Sequence, residues 1–582
     1  MMTNFKNKFS FFILLLLIHG HIFSQGFLKT DGKRIVNEKG ENVLLRGMGL
    51  GGWMLQEGYM LRVYKEGQQH RIRQRLEELT SPEQVQEFYD TWLDNYTRKT
   101  DIDSMRAWGF NSVRLPMHYN LYTLPVEEEP VAGNNTWLEK GFAMTDSLLA
   151  WCKANKLYLI LDLHAAPGGQ GNDLNISDRD PSKPSLWQSE ANRQKTIALW
   201  KKLAEKYAGE PWIGGYDIIN EPNWGFEDTV NDINGLREKK NVPLKQLMVD
   251  ITKAIREVDN NHIIIIEGNG WGNNYNGILP TWDDNMVLSF HKYWSGTTDN
   301  DIRNMLDTRE KYNVPIWIGE TGENSNTWYT EAIRLFEKHN IGWAWWPLKK
   351  AGVSSPLEVP ANHNWMAVVR YMNGEGKAPK ESDVYSGMME LAVYSKLENC
   401  IIHRDIIDAM FRQVKSTATI PFKKIRLRNN TVIQAADYDL GRNGYAYFDK
   451  DTANYGQGST GNRGHTYRND GVDIRKDSAH YEQYFVSNIE DGEWLQYSFR
   501  VKDAGRYRIQ FTVLPDSEEE GSVSIMLKNK IVAENIVVPK AGDNDEWQTV
   551  EVKDIKIPRS TRKMRIVVNK GGFNLRKISF YK

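Results

Sequence analysis

Leu157-Tyr158-Leu159-Ile160-Leu161 and Ile263-Ile264-Ile265-Ile266 are apolar at almost every position. A strand with one wet face alternates apolar and polar residues. These runs do not, so they fit parallel strands covered on both faces. They extend to 157–164 and 262–268, and six further short runs resemble them, at 43–49, 111–116, 213–220, 286–293, 314–320 and 341–347. Amphipathic helical patterns lie between. The clearest begins at Ser81-Pro82-Glu83-Gln84, a capping box with proline in its first turn, and carries the stripe Val85, Phe88, Trp92, Tyr96. Eight strands alternating with helices predict an α/β fold, a (β/α)8 barrel. An open doubly wound sheet is the rival, but no glycine-rich phosphate loop follows the first run.

The barrel with a helical extension is expected over 26–414, the extension being the helical pattern of 364–413. A charged stretch at 415–430 reads as a linker. From 431 to 582 short alternating segments, such as Trp494-Leu495-Gln496-Tyr497-Ser498-Phe499, are separated by Gly, Asp and Asn, which predicts an all-β jelly-roll sandwich. At the other end, Lys6 and Lys8 precede the apolar run from Phe11 to Ile18, and Ser24-Gln25-Gly26 follows. The run is too short to cross a bilayer, so residues 1–25 read as a secretory signal peptide and the protein as secreted, with no membrane anchor.

The 74 basic and 75 acidic residues among 582 give a net charge of −1, which carries no electrostatic footprint for nucleic acid. The 20 Trp and 26 Tyr suit stacking on sugar rings, though two large cores would also use them. Cys152 and Cys400 are the only cysteines. The first reads as a core thiol, and a single bridge between them is the alternative. No His, Cys or Asp cluster has metal-ligand spacing, so no metal or other cofactor is expected. A monomer is expected.

Two strings carry the chemistry. Ile219-Asn220-Glu221-Pro222 closes the fourth run and Ile318-Gly319-Glu320-Thr321 the seventh. Ends of strands four and seven face each other across a barrel mouth, and two carboxyls about 5–5.5 Å apart there can cleave a glycosidic bond with retention. Glu221 is the expected acid/base, kept protonated by the neighbouring carboxylate, and Glu320 the nucleophile. Asn220 could hydrogen-bond the sugar 2-hydroxyl. A lone strand-end Glu is as often simply solvated; the pair on these two strands is not. Glu267 is either a substrate contact or a support, and Asp162 and Asp217 belong to packing networks.

With these residues in place the sequence resembles glycoside hydrolase family 5. The resemblance covers about 27–350. Arg114 in Val113-Arg114-Leu115-Pro116 is similar to the family's second-strand arginine beside the nucleophile, and His164 to its third-strand histidine. His291 and Tyr293 match the sixth-strand pair, the tyrosine orienting Glu320 and the histidine poising the acid/base. Trp346 matches the eighth-strand tryptophan under the cleaved sugar. What the resemblance implies is hydrolysis of a β-linked polysaccharide or oligosaccharide. The loops at 46–53 and 164–170 look like those of the exo-β-1,3-glucanase branch, from which Gly49 (asparagine there) and Leu348 (tryptophan there) depart. The expectation is therefore β-glucan hydrolysis with the linkage open. β-Mannanase action, transglycosylation and a non-catalytic glycan-binding protein are the alternatives.

Gln434-Ala435-Ala436-Asp437-Tyr438-Asp439, Tyr467-Arg468-Asn469-Asp470-Gly471-Val472-Asp473-Ile474, Gly492-Glu493-Trp494-Leu495 and Gly571-Gly572-Phe573-Asn574-Leu575 resemble carbohydrate-binding module family 6. The resemblance implies sugar contacts from Tyr467 and Asn574. With Trp547 read as a core tryptophan, the second stacking position falls at Asn544. The family's structural calcium would need oxygens that Ala436 and Arg576 do not offer.

Overall fold

The computed structural model describes residues 26–352, 354–456, 465–477, 483–542 and 546–582. The expected signal peptide at 1–25 and Asn544 lie outside the described residues. Eight parallel strands close into a barrel: β1 (Arg46–Gly49), β2 (Ser112–His118), β3 (Tyr158–Ala165), β4 (Ile213–Asp217), β5 (Ile264–Glu267), β6 (Met286–Lys292), β7 (Ile316–Gly322) and β8 (Gly342–Trp346). Each lies within or beside an expected run. The two-sided apolar character has the predicted cause. Ile160, Ile265, Val287 and Trp317 fill the interior with Leu28 and Ile35, which flank or lie in the N-terminal hairpin Lys29–Asp31/Arg34–Val36. Leu159, Leu161, Ile264 and Ile266 join the larger core outside the barrel. The helix Pro82–Tyr96 starts where expected, with the Ser81 hydroxyl accepting the Gln84 N–H at 3.3 Å.

The helices His363–Met372, Glu381–Tyr394 and Arg404–Met410 form the extension. Both cysteines are free, Cys152 buried in the helix Glu139–Asn155, so the alternative of a bridge is not realised. The expected linker is a correction. Within it β9 (Ile425–Leu427) pairs in parallel with a sandwich strand, Trp494–Val501. Its arginine is exposed while Leu427 is buried, so a charged reading hid an edge strand. Behind it two sheets pack face to face around Ile433, Tyr497, Phe511, Ile566 and Phe573. Among the described residues no helix is long and apolar enough to cross a membrane.

Candidate active site

The strand ends bring Glu221 and Glu320 together at the carboxyl end of the barrel. β4 pairs regularly only to Asp217, four residues short of Glu221. Backbone bonds continue irregularly, Ile218 N–H to the Ile265 carbonyl at 3.1 Å and Asn220 N–H to that of Leu163 at 3.1 Å. Glu221 itself has φ +41°, a conformation that turns its side chain inward at a cost other residues of the site offset. On β7 the register skips one residue, with Ile318 opposite Phe290 and Glu320 opposite His291. The extra residue is Gly319, where a Cβ would lie 2.1 Å from the Ser289 hydroxyl. This bulge aims Glu320 into the mouth.

Carboxyl oxygens of Glu221 and Glu320 and a ring nitrogen of His291 all lie within 4.8 Å of one another. Glu320 accepts from Arg114 Nη1 at 2.9 Å and from the Tyr293 hydroxyl at 2.6 Å. Glu221 Oε1 lies 2.6 Å from His291 Nδ1. The two acids therefore sit in different fields. Burial, with the charges of Glu320 and Glu267, pushes the Glu221 carboxyl up against the pull of His291. His291 is held well above the ordinary imidazole range: burial opposes its charge, but Glu267, Glu320 and Glu221 surround it.

Arg114 is the hub below the mouth. Its guanidinium donates to Asp217 at 2.9 and 3.0 Å, to Asn220 Oδ1 at 2.7 Å and to Glu267 at 3.2 Å, and lies 3.2 Å from Asp162. Four carboxylates around one buried cation demand uneven protonation. Burial and Glu267 push Asp217 well up, whereas Glu267, despite its burial, is held down by His291, Arg114 and the Glu221 N–H, which it accepts at 2.7 Å. Glu267 is fully buried, which settles its two readings in favour of support.

The indole of Trp346 lies flat under this group, stacked on His164 at 5.1 Å and 8°. It rests on the first strand and its loop: a Cβ at Gly49 would lie 2.5 Å from the ring and one at Gly51 2.6 Å. Gly49 is thus required by the approach of Trp346. His164 Nδ1 meets Asp162 at 2.8 Å, and its Nε2 lies 3.3 Å from the Asn220 amide. Burial works against its charge, but Asp162, Glu57 and Glu320 raise it to about 10.

Among the residues of the site that the sequence did not single out are Glu57 and Tyr59. Glu57 faces the His164 ring at 3.8 Å, and burial, with Glu320 and Glu221 nearby, raises its carboxyl to about 7 against the pull of His164. The Tyr59 hydroxyl accepts from Trp346 Nε1 at 2.9 Å. Both follow the first strand, in a loop without periodicity. A charged residue after Trp53-Met54-Leu55-Gln56 at a barrel mouth was the available signal. Together with Trp271 and Trp294 they line an open cleft of about 880 Å³ over the two acids.

The module edge is arranged otherwise. Tyr467 stacks on Tyr484 at 4.5 Å and 24°, meets Phe422 edge-on, and donates its hydroxyl to Asp437 at 2.5 Å. Asn574 donates to the Leu514 carbonyl at 3.1 Å and to Asp516 at 3.3 Å. Trp547 is half-buried, with the Arg576 guanidinium 4.4 Å over its ring and Phe485 at its edge, so it is not a core tryptophan. Arg576 also donates to Asp477 at 3.1 Å and Ala436 brings no side-chain oxygen, so these two positions offer calcium no carboxylate.

Comparison with known proteins accords with this geometry. Residues 76–352 match the profile of cellulase (glycosyl hydrolase family 5), and residues 464–582 that of the family 6 carbohydrate binding module. A beta-xylosidase of Phanerodontia chrysosporium is 24% identical over 380 residues, spanning 59% of this chain and 75% of its own. Endoglucanase C of Acetivibrio thermocellus is 24% identical over 329 residues, 46% and 88% of the two chains. A glucan 1,3-beta-glucosidase of Candida oleophila is 28% identical over 286 residues, 46% and 60%. The chain holds a glycoside hydrolase family 5 catalytic domain followed by a family 6 carbohydrate-binding module.

Proposed function

We propose that this protein is a secreted retaining β-glucan hydrolase that works by double displacement. The observation that carries the reading is the approach of the two carboxyls, one oxygen of each lying within 4.8 Å of the other, with each in its own field. Retention needs about 5–5.5 Å, whereas inversion needs room for a water between the acids, about 6.5–9.5 Å. In the first step a Glu320 oxygen attacks the anomeric carbon, the bond to the leaving oxygen breaks, and Glu221 gives that oxygen its proton. In the second, Glu221 takes a proton from water as the water oxygen attacks the same carbon and the ester to Glu320 breaks. Arg114 and Tyr293 hold the attacking carboxylate, His291 steadies the acid, and His164 and Trp346 face the sugar. Asn220, expected to reach the sugar, is as buried as Glu267 and bonded to Arg114, so it supports the site from below.

The names of the relatives include an endoglucanase, a glucan 1,3-beta-glucosidase and a beta-xylosidase, so linkage stays open in this proposal. The charged-then-apolar segment at 6–18 supports export. The family 6 module supports attachment to polysaccharide. The deciding experiment follows the anomeric proton of the first product from an aryl β-glucoside by NMR: β product supports double displacement, and α product as the initial anomer sinks it. Hydrolysis of laminarin, carboxymethylcellulose and mannan by the same preparation assigns the glycan.

A further inference from the structure

The loop that leaves β7 after Glu320 runs into the sandwich. Glu323 of this loop lines the cleft and pairs with Lys350 at 2.8 Å. The next three residues bind the module. Asn324 donates its amide to the Asn454 carbonyl at 2.8 Å and accepts the Asn454 N–H at 3.0 Å. The Ser325 hydroxyl donates to the Thr452 carbonyl at 2.5 Å. The Asn326 N–H donates to the Asn469 carbonyl at 2.7 Å, and its side-chain amide bridges Asp470 at 3.0 Å and Asp405 of the helical extension at 2.8 Å. Asn469 returns three bonds, from its N–H to Asp405 at 2.7 Å and from its amide to the Asn324 carbonyl at 2.9 Å and to Asn326 Oδ1 at 3.2 Å.

Asn324, Ser325, Asn326, Asn469 and Asp470 are all buried. A polar group removed from water must keep its partner, so this contact is costly to open. A module that merely tethers an enzyme joins it through a solvated linker and a weak, polar interface. Here the end of the string resembling a sugar-binding edge, Asn469-Asp470, is turned into the barrel at the helix that starts six residues after Glu320.

We propose that the sandwich is a working part of the barrel, in which Asn469 and Asp470, with the backbone of Thr452 and Asn454, hold the 322–326 loop and so position Glu320. It rests on Glu320 being the nucleophile and makes a claim about soluble substrates, for which polysaccharide attachment is irrelevant. Asn469 and Asp470 are positioning residues, since they act through the loop.

The test uses the full chain with Asn324→Ala on the barrel side and Asn469→Ala on the module side. Turnover of aryl β-glucoside and aryl β-cellobioside is measured, with inactivation by a 2-deoxy-2-fluoro aryl β-glycoside, which reads the attack of the nucleophile alone. The expected result is a fall of about tenfold in kcat and in inactivation rate, with KM within about threefold. Wild-type values of both rates in a folded variant overturn the proposal. Hydrogen exchange on the wild-type chain gives an independent reading should the variants not fold. Exchange of 322–326 and 467–470 in one opening event supports it, and free exchange of 467–470 beside a protected 322–326 overturns it. If the wild-type chain turns over neither substrate and is not labelled at Glu320, the proposed function itself fails and takes this inference with it.

Discussion

The barrel mouth and the module edge collect the same kinds of side chain, tyrosines, asparagines, an arginine and carboxylates, and put them to opposite ends. At the mouth, Glu221 and Glu320 are fixed from behind and below, by His291 and by Arg114 with Tyr293, and still line an open cleft. At the edge, Tyr467, Arg468 and Asn469 are committed to the protein. Arg468 lies between the rings of Tyr438 at 3.7 Å and Phe422 at 4.4 Å, and Asn469 is sealed against the barrel. A residue of the right type at the right place becomes a site only where its polar atoms or ring faces are left for a ligand. The mouth meets that condition and the 467–470 string does not.

Four substitutions break or sharpen this contrast. Glu320→Ala is expected to have the largest effect, lowering kcat on an aryl β-glucoside by about 10⁴-fold or more, because it removes the carboxylate that forms the covalent intermediate. Residual turnover within tenfold of wild type would remove Glu320 from the reaction. Glu221→Gln comes next. It should cost about 10²–10⁴-fold with a poor leaving group and much less with dinitrophenolate, which needs no proton. Equal losses with both leaving groups would contradict the acid role.

Glu57→Gln is a test of pH dependence. Burial raises this carboxyl from 4.5 to about 7, so the folded state favours the protonated form. Its contribution to stability is complete below the unfolded value of 4.5 and is lost as pH rises through about 7. Glutamine cannot ionise, so between about pH 5 and pH 8 the variant should gain about 3 kcal/mol on wild type in denaturant titrations. Parallel stability curves for the two proteins would show that Glu57 is not a buried acid. The smallest effect is expected at the edge. Tyr467→Ala should change retention on insoluble β-glucan by less than about twofold, since stacking worth about 1 kcal/mol would cost fivefold or so. A fivefold loss would make the ring a sugar platform after all.

The sequence made the barrel legible because strands buried on both faces have few ways to be written, and Leu157 to Leu161 and Ile263 to Ile266 are such strands. It made most of the mouth legible because those side chains sit at strand ends, where position follows from topology. Glu57 and Tyr59 lie on a loop whose path no periodicity records. The edge strand at Ile425–Leu427 was hidden by its flanking charges. Least legible was the junction between the domains. Asn324, Ser325, Asn469 and Asp470 are ordinary turn and cap residues in composition, and only the fold reveals that their partners lie more than a hundred positions away.

The floor of the barrel has its own consequence for traffic. Leu28 and Ile35 stop the far end together with Ile160 and Trp317, so among the described residues the cleft is closed on that side. The departing aglycone and the incoming acceptor must use that same entrance in turn. Under the proposed double displacement, whatever lingers there after the first step would compete with water for the sugar ester, so crowding at the threshold would set the balance between releasing a shorter chain and building a new one.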